Sequence, residues 1–336
     1  MFKSLRFRRT AAAPLQVVAP APAPPRIDPE TLLRRLEWAV IRRLDGLLQG
    51  DYRTLFRGFG LDLADLREYQ AHDDVRHIDW NVTARLQTPY VREFQEDRHV
   101  DAWFLLDLTG SVDFGSQVRK RSVSAEFVGV LARLLTRYGN RVGAILYRGH
   151  GTDALIPARG GRRHVLHLLD RMTRPGGAPP AGGTETNLKE LLDHAQQVMK
   201  RRSVVFVVSD FISTPGWDRA LERLARRHEV IAVRLYDALE VDLPDLGLVV
   251  MQDAETGEQL FVDTHDRGFR QRFAAAAAAR EESLRGALAR AGVDCLELAT
   301  DGPLAESLLR FVRLRKQRSH LAAGASAASF SQPRAV

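Results

Sequence analysis

Residues 204 to 210 read VVFVVSD. Four valines and a phenylalanine in succession leave no polar face, so the segment suits a strand covered on both sides, as in a parallel sheet sandwiched between helices. A second run, from Trp103 to Leu106, sits in an expected strand at 102–108 and also ends in an aspartate, Asp107. Around these two runs the periodicity alternates. A helix is expected at 118–138, with Val123, Phe127, Val130, Leu131 and Leu134 on one face. A strand follows at 142–147, then a weaker extended piece at 154–157. Helices are expected at 163–172, 187–200 and 217–226, with a strand at 230–235. Strands alternating with helices imply a doubly wound α/β fold with a mostly parallel sheet.

The flanks are simpler. Residues 29–49 place Leu32, Leu33, Leu36, Val40, Leu44 and Leu47 at helical spacing, with Asp28 as N-cap and Pro29 just inside. Residues 51–100 lack that period and suit short strands and ordered loops. Beyond the alternating unit, 248–263 reads as a hairpin turning near Thr256 and Gly257. A long helix at 266–291, a short strand at 294–298 and a last helix at 303–314 follow. The organisation is therefore a basic, Pro/Ala-rich tail at 1–27, a helix and charged segment at 28–100, an α/β unit at 101–318, and an Ala/Ser-rich tail at 319–336. Both tails are expected to lack structure, and the first shares its composition with organellar presequences.

Composition limits the function classes. With 336 residues and 45% hydrophobic content, the chain can bury a substantial core. It has no apolar run of about 18 residues, so no membrane span is expected. The single cysteine, Cys295, sits in an apolar context and suits core packing in a reducing cytoplasm. The net charge of +7 includes basic clusters at the ends (Arg6, Arg8, Arg9; Arg313, Arg315, Lys316, Arg318), but no nucleic-acid motif accompanies them, and none is expected as a partner. No phosphate-binding G-x-x-x-x-G-K-[ST] loop occurs.

In open α/β sheets, ligands collect at the carboxyl ends of the strands. There the chain offers Asp107, Thr109 and Ser111 at alternate positions, then Thr184 and Thr186 in GGTETN, then Asp210. Asp107 alone could equally cap the next helix. Together the groups are all hard oxygen donors, the kind that magnesium or manganese takes and zinc does not. A phosphatase built on D-x-D-x-T would need a second carboxylate where Thr109 stands.

DLTGS, GGTET and VVSD, in this order, resemble the metal-ion-dependent adhesion site of von Willebrand factor A domains. The resemblance implies a Rossmann-like sheet of that type and a metal held by Asp107, Thr109, Ser111, Thr184 and Asp210. Thr109 stands where serine is usual, and Phe211 where glycine is common after the last aspartate. Residues 66–98 (LREYQAHDDVRHIDWNVTARLQTPYVREFQEDR) further resemble the signature of the domain-of-unknown-function-58 family, which joins such a segment to a von Willebrand A-like domain. Its Arg67, Glu68, Tyr69, Asp73, Asp74, Arg76, Asp79, Trp80, Arg85, Arg92 and Glu93 read as an ion-pair network anchored by Trp80, rather than as a second metal cluster around His72 and His77. His164 and His167 read as a solvated helix face. The family resemblance implies a non-enzymatic, Mg2+- (or Mn2+-) dependent protein-binding module. Its implied partner is a MoxR-type AAA+ ATPase, or that ATPase's client, engaged through an acidic residue. The alternatives are a metal-dependent hydrolase or a scaffold with a vestigial site.

Overall fold

The computed structural model describes residues 28–41, 44, 65–70, 75, 78, 80, 83–84, 87–93, 101–116, 118–149, 151–174, 186–252 and 259–329. The first helix, α1 (Pro29–Leu36), starts as its sequence dictates: the Asp28 carboxylate accepts the Thr31 amide at 2.9 Å, and Pro29 occupies the first turn. It widens into a π-helical turn at Glu37–Ile41, and Leu32, Leu33, Leu36, Ile41 and Leu44 are buried. A small antiparallel pair, β1 (Asp65–Glu68) with β2 (Tyr90–Glu93), follows.

The main unit runs β3 (Asp101–Asp107), α2 (Lys120–Arg137), β4 (Arg141–Tyr147), β5 (Thr152–Arg159), α3 (Arg162–Thr173), α4 (Leu188–Val198), β6 (Val204–Ser209), α5 (Trp217–Arg227) and β7 (Glu229–Tyr236). The short α6 (Ala238–Val241), the hairpin β8 (Leu248–Gln252) and β9 (Gln259–Asp263), α7 (Arg267–Ala291), β10 (Asp294–Ala299) and α8 (Leu304–Ser329) complete it.

Six strands form one sheet in the order β10-β7-β6-β3-β4-β5, parallel throughout except for β5, which runs antiparallel to β4 at the edge. The continuous apolar runs have their explanation here. Phe104 and Leu106 of β3, with Val204, Phe206 and Val208 of β6, face α2, α3, α8 and the leucines of α1. Trp103 and Leu105, with Val205 and Val207, face α4, α5 and α7. Successive side chains thus enter opposite layers, and both layers are apolar. Phe104 and Phe206 stack across neighbouring strands at 5.3 Å, with Phe127 edge-on to both. α1 is tied to this unit by ion pairs Glu30–Arg162, Glu37–Arg133 and Arg35–Glu126.

The structure departs from several sequence expectations. The weak segment at 154–157 is an eight-residue edge strand whose single fully buried residue is Ile156; its exposed face diluted the apolar signal. The last helix runs to Ser329, well past 314 and through the stretch from Ser319 expected to lack structure; alanines sustain a helix without needing an apolar face. Trp80 is 69% exposed, against the expectation of a buried apolar anchor. Asp73, Asp74, Arg76, Asp79 and Arg85, together with His72 and His77, lie outside the described residues. Arg67, Glu68, Arg92 and Glu93 fall on the β1–β2 pair, and the Tyr69 amide bonds the Pro89 carbonyl beside it. His164 is half-buried, with Nε2 2.8 Å from the Val142 carbonyl, so only His167 of that pair lies on a solvated face.

His228, just beyond α5, is buried, and neither ring nitrogen has a hydrogen-bond partner among the described residues. Burial, with Arg227 and Arg202 nearby, pushes its pKa from 6.5 down to about 4. A depressed folded-state value means stability that is present above pH 6.5 and lost as pH falls toward 4. Urea denaturation across that window should show a loss of about 3 kcal/mol in the parent chain relative to His228→Leu, which has no proton to take up.

Candidate metal centre

The strand order reverses at β3, with β4 on one side and β6 on the other, so the carboxyl ends of β3 and β6 form the switch point. Asp107 closes β3, Ser209 closes β6, and Asp210 follows it. Asp107 is wholly buried, and among the described residues every hydrogen bond it accepts comes from a neutral donor: the Thr109 amide (3.1 Å) and hydroxyl (2.7 Å) on Oδ1, and the Ser209 hydroxyl (2.7 Å) on Oδ2. The Thr109 hydroxyl in turn accepts from Thr186 at 2.9 Å and lies 3.3 Å from the Ser111 hydroxyl. Thr109 caps a 3-10 turn (Gly110–Asp113) that brings Ser111 back toward the strand end, and Arg121 pins this turn through Asp113 and the Leu108 carbonyl.

The structure therefore brings Asp107, Thr109, Ser111 and Asp210 to one sheet edge. Thr184 lies outside the described residues; Thr186, close by in the sequence, reaches the cluster through its hydroxyl. Thr109, the departure from serine, keeps its hydroxyl at the centre of the network. Burial first, and then the Asp210 carboxylate, push the Asp107 pKa from 3.8 up to about 6, against the hydrogen bonds from Ser209 and Thr109.

Three residues of this site escaped the sequence reading. Ser209 is disguised by the apolar strand it ends. Lys120, at the start of α2, looks like a surface lysine, yet it is fully buried with its ammonium 3.0 Å from Asp210 Oδ2 and 2.6 Å from Glu240 Oε1. Burial alone would lower its pKa, but the two carboxylates outweigh that and raise it. Asp237 holds the loop behind Ser111: it accepts the Ser116 amide (2.8 Å) and hydroxyl (2.9 Å), the Thr300 hydroxyl (2.6 Å) and the Leu239 amide (3.0 Å). Burial works to raise its pKa, but the bonds from Thr300, Ser116 and Leu239 prevail and hold it below the usual carboxylate range. The D-x-x-E spacing of Asp237 and Glu240 is a capping box, the one signal that could have revealed them from sequence.

Phe211 takes a backbone conformation that glycine adopts without cost. Its φ is +59, a left-handed backbone that costs a side-chain-bearing residue roughly 1 kcal/mol. The ring is buried and packs on Trp217 at 5.4 Å, which offsets that cost. Phe211→Gly should relieve the backbone but lose the packing, for a net loss of about 2–3 kcal/mol in urea denaturation.

No three His, Cys, Asp or Glu side chains cluster as metal ligands among the described residues. A metal here would rest on one bare carboxylate, hydroxyls and water. The donor set fits magnesium or manganese: all ligands are oxygen, and the repulsion felt by buried Asp107 is what a divalent cation would remove. Elsewhere, burial pushes the Cys295 thiol up to about 12, in keeping with a packing role, and no helix among the described residues is long and apolar enough to cross a membrane.

These features define a doubly wound α/β protein with a carboxylate–hydroxyl centre at its switch point. The family model described as "Protein of unknown function DUF58" matches residues 65–283, and the chain belongs to that family. It is 36% identical over 288 residues to "Uncharacterized protein Rv1480" of Mycobacterium tuberculosis, covering 85% of this chain and 89% of that protein, and equally to "Uncharacterized protein Mb1516" of Mycobacterium bovis. Among solved structures it is similar to BatB from Bacteroides thetaiotaomicron (12% identity, TM-score 0.40) and to an aerotolerance-related membrane protein from Bacteroides fragilis (11%, 0.41). Each match covers 65% of this chain and 99% of the other.

Proposed function

We propose that the chain is a non-enzymatic, magnesium-dependent protein-binding module of von Willebrand factor A type. It acts in the cytoplasm with a MoxR-type AAA+ ATPase, or with that ATPase's client, in assembly or maturation. The observation that carries the reading is the Asp107–Thr109–Ser111–Thr186 oxygen cluster beside Asp210 at the switch point. Phe114, Val118 and Ile212, on the segments that leave β3 and β6, are each at least 40% exposed. An apolar rim around a polar centre suits a protein partner.

In this reading Asp107, Thr109 and Ser111 hold the ion, with a threonine of the 184–186 loop, and Asp210 orients its outer shell. The ion supplies a Lewis-acidic point that accepts a partner's Asp or Glu carboxylate. The test is retention of the partner by the tagged full chain, in magnesium and in EDTA. Binding should be lost in EDTA, in Asp107→Ala and in Thr184→Ala. Retention unchanged by all three would overturn the reading.

A further inference from the structure

Lys120 is placed where a lysine is doubly unfavourable. It opens α2, where the helix end repels cations, and its ammonium is removed from water. The buried ammonium does one specific thing: it bridges Asp210 and Glu240. Glu240 is itself fixed, its second oxygen accepting the Asp237 amide at 3.0 Å.

We propose that Lys120 is a positioning residue that sets the charge of the metal centre: its ammonium, shared by Asp210 and Glu240, offsets part of the Asp210 charge and leaves Asp107, among the described residues, as the carboxylate beside the ion without a cationic partner. The inference rests on the metal-binding reading above and adds how the site is tuned. With two bare carboxylates, a divalent ion would be fully neutralised and would have little attraction for a third. With one, it keeps net positive charge and takes a carboxylate from outside. The same lysine lowers the site's intrinsic affinity for the ion, because it repels any cation that approaches Asp210.

The test is Mn2+ titration of the full chain by calorimetry. Lys120→Met should bind Mn2+ at least tenfold more tightly than the parent chain, Asp210→Asn at least tenfold more weakly, and the double variant within threefold of the parent. Unchanged or weaker binding by folded Lys120→Met overturns the proposal. Should Lys120→Met alone fail to fold, comparing Asp210→Asn with the double variant decides: removing the lysine must still tighten binding at least tenfold. Acetate supplies a second readout. It should displace water from bound Mn2+, seen as falling proton relaxivity, at a concentration at least threefold lower in the parent than in Lys120→Met; equal concentrations would overturn the role in partner capture. A parent chain that takes up no Mn2+, and matches Asp107→Ala in this, removes the metal reading itself, whereas a parent that binds with Lys120→Met unchanged removes only the role of Lys120.

Discussion

Asp107→Asn should make the metal-free protein more stable at pH 7.5 while abolishing its response to divalent ions. The Asp107 pKa stands at about 6 in the folded chain against an ordinary 3.8. A folded-state value raised above the unfolded one contributes stability that is complete below pH 3.8 and lost as pH rises through 6. At pH 7.5 the ionised carboxylate therefore costs the metal-free fold up to about 3 kcal/mol, at 1.36 kcal/mol per pH unit. Asparagine keeps an acceptor for Thr109 and carries no charge to repel Asp210. Urea denaturation in EDTA from pH 4 to 8 should show the parent chain losing ground to Asp107→Asn as pH rises from 4 to about 6.5, and holding a constant deficit above that. Magnesium should restore the parent and leave the variant unmoved. His228 produces an opposite slope over nearly the same window, so each effect must be read as a difference from its own variant. A parent chain whose stability relative to Asp107→Asn does not change with pH would contradict the geometry described.

Asp237→Ala should cost about 4 kcal/mol and weaken Mn2+ binding at least tenfold. The carboxylate satisfies two amides and two hydroxyls drawn from three separate elements: the loop at Ser116, the start of α6, and Thr300 after β10. Removing it strands four donors; the two on exposed Ser116 can turn to water, while the buried Thr300 hydroxyl and the Leu239 amide lose about 1–3 kcal/mol each, though not additively. The loop that positions Ser111 loses its far attachment at the same time. Asp237→Asn, which replaces one accepting oxygen with a donor, should fall between the two in both urea denaturation and Mn2+ titration. If the alanine variant binds Mn2+ as tightly as the parent, the loop is held by other means.

How much of this was legible from sequence depends on what each residue's neighbours in the chain reveal. The alternation of strand and helix was plain because both faces of VVFVVSD and of the Trp103–Leu106 run are buried, and continuous apolar stretches leave little ambiguity. Helix bounds at α2, α3 and α5 shifted by one or two residues at most. The antiparallel direction of β5 was not legible, since direction is set by where the chain crosses and not by side-chain pattern. Asp107, Thr109, Ser111 and Asp210 stood out because polar oxygen groups at strand ends break an apolar context. Lys120 did not, because nothing local distinguishes a lysine that will meet buried Asp210 and Glu240, 90 and 120 residues away, from one that will meet water. Ser209 was hidden in the same way, its partner Asp107 lying 102 residues upstream.

The pairing of β3 with β6 also governs when the site can exist during synthesis. Asp107 emerges early with Thr109 and Ser111, but its neighbouring strand begins only at Val204. Parallel pairing across such a separation closes a long loop and forms late. A nascent chain that stops before Val204 carries Asp107, Thr109, Ser111 and Thr186 but no second carboxylate to complete the edge. On the proposed metal-binding reading, ion capture would then serve as a checkpoint: a chain could engage an acidic partner only once its central sheet is whole, and a truncated or misassembled copy would be excluded.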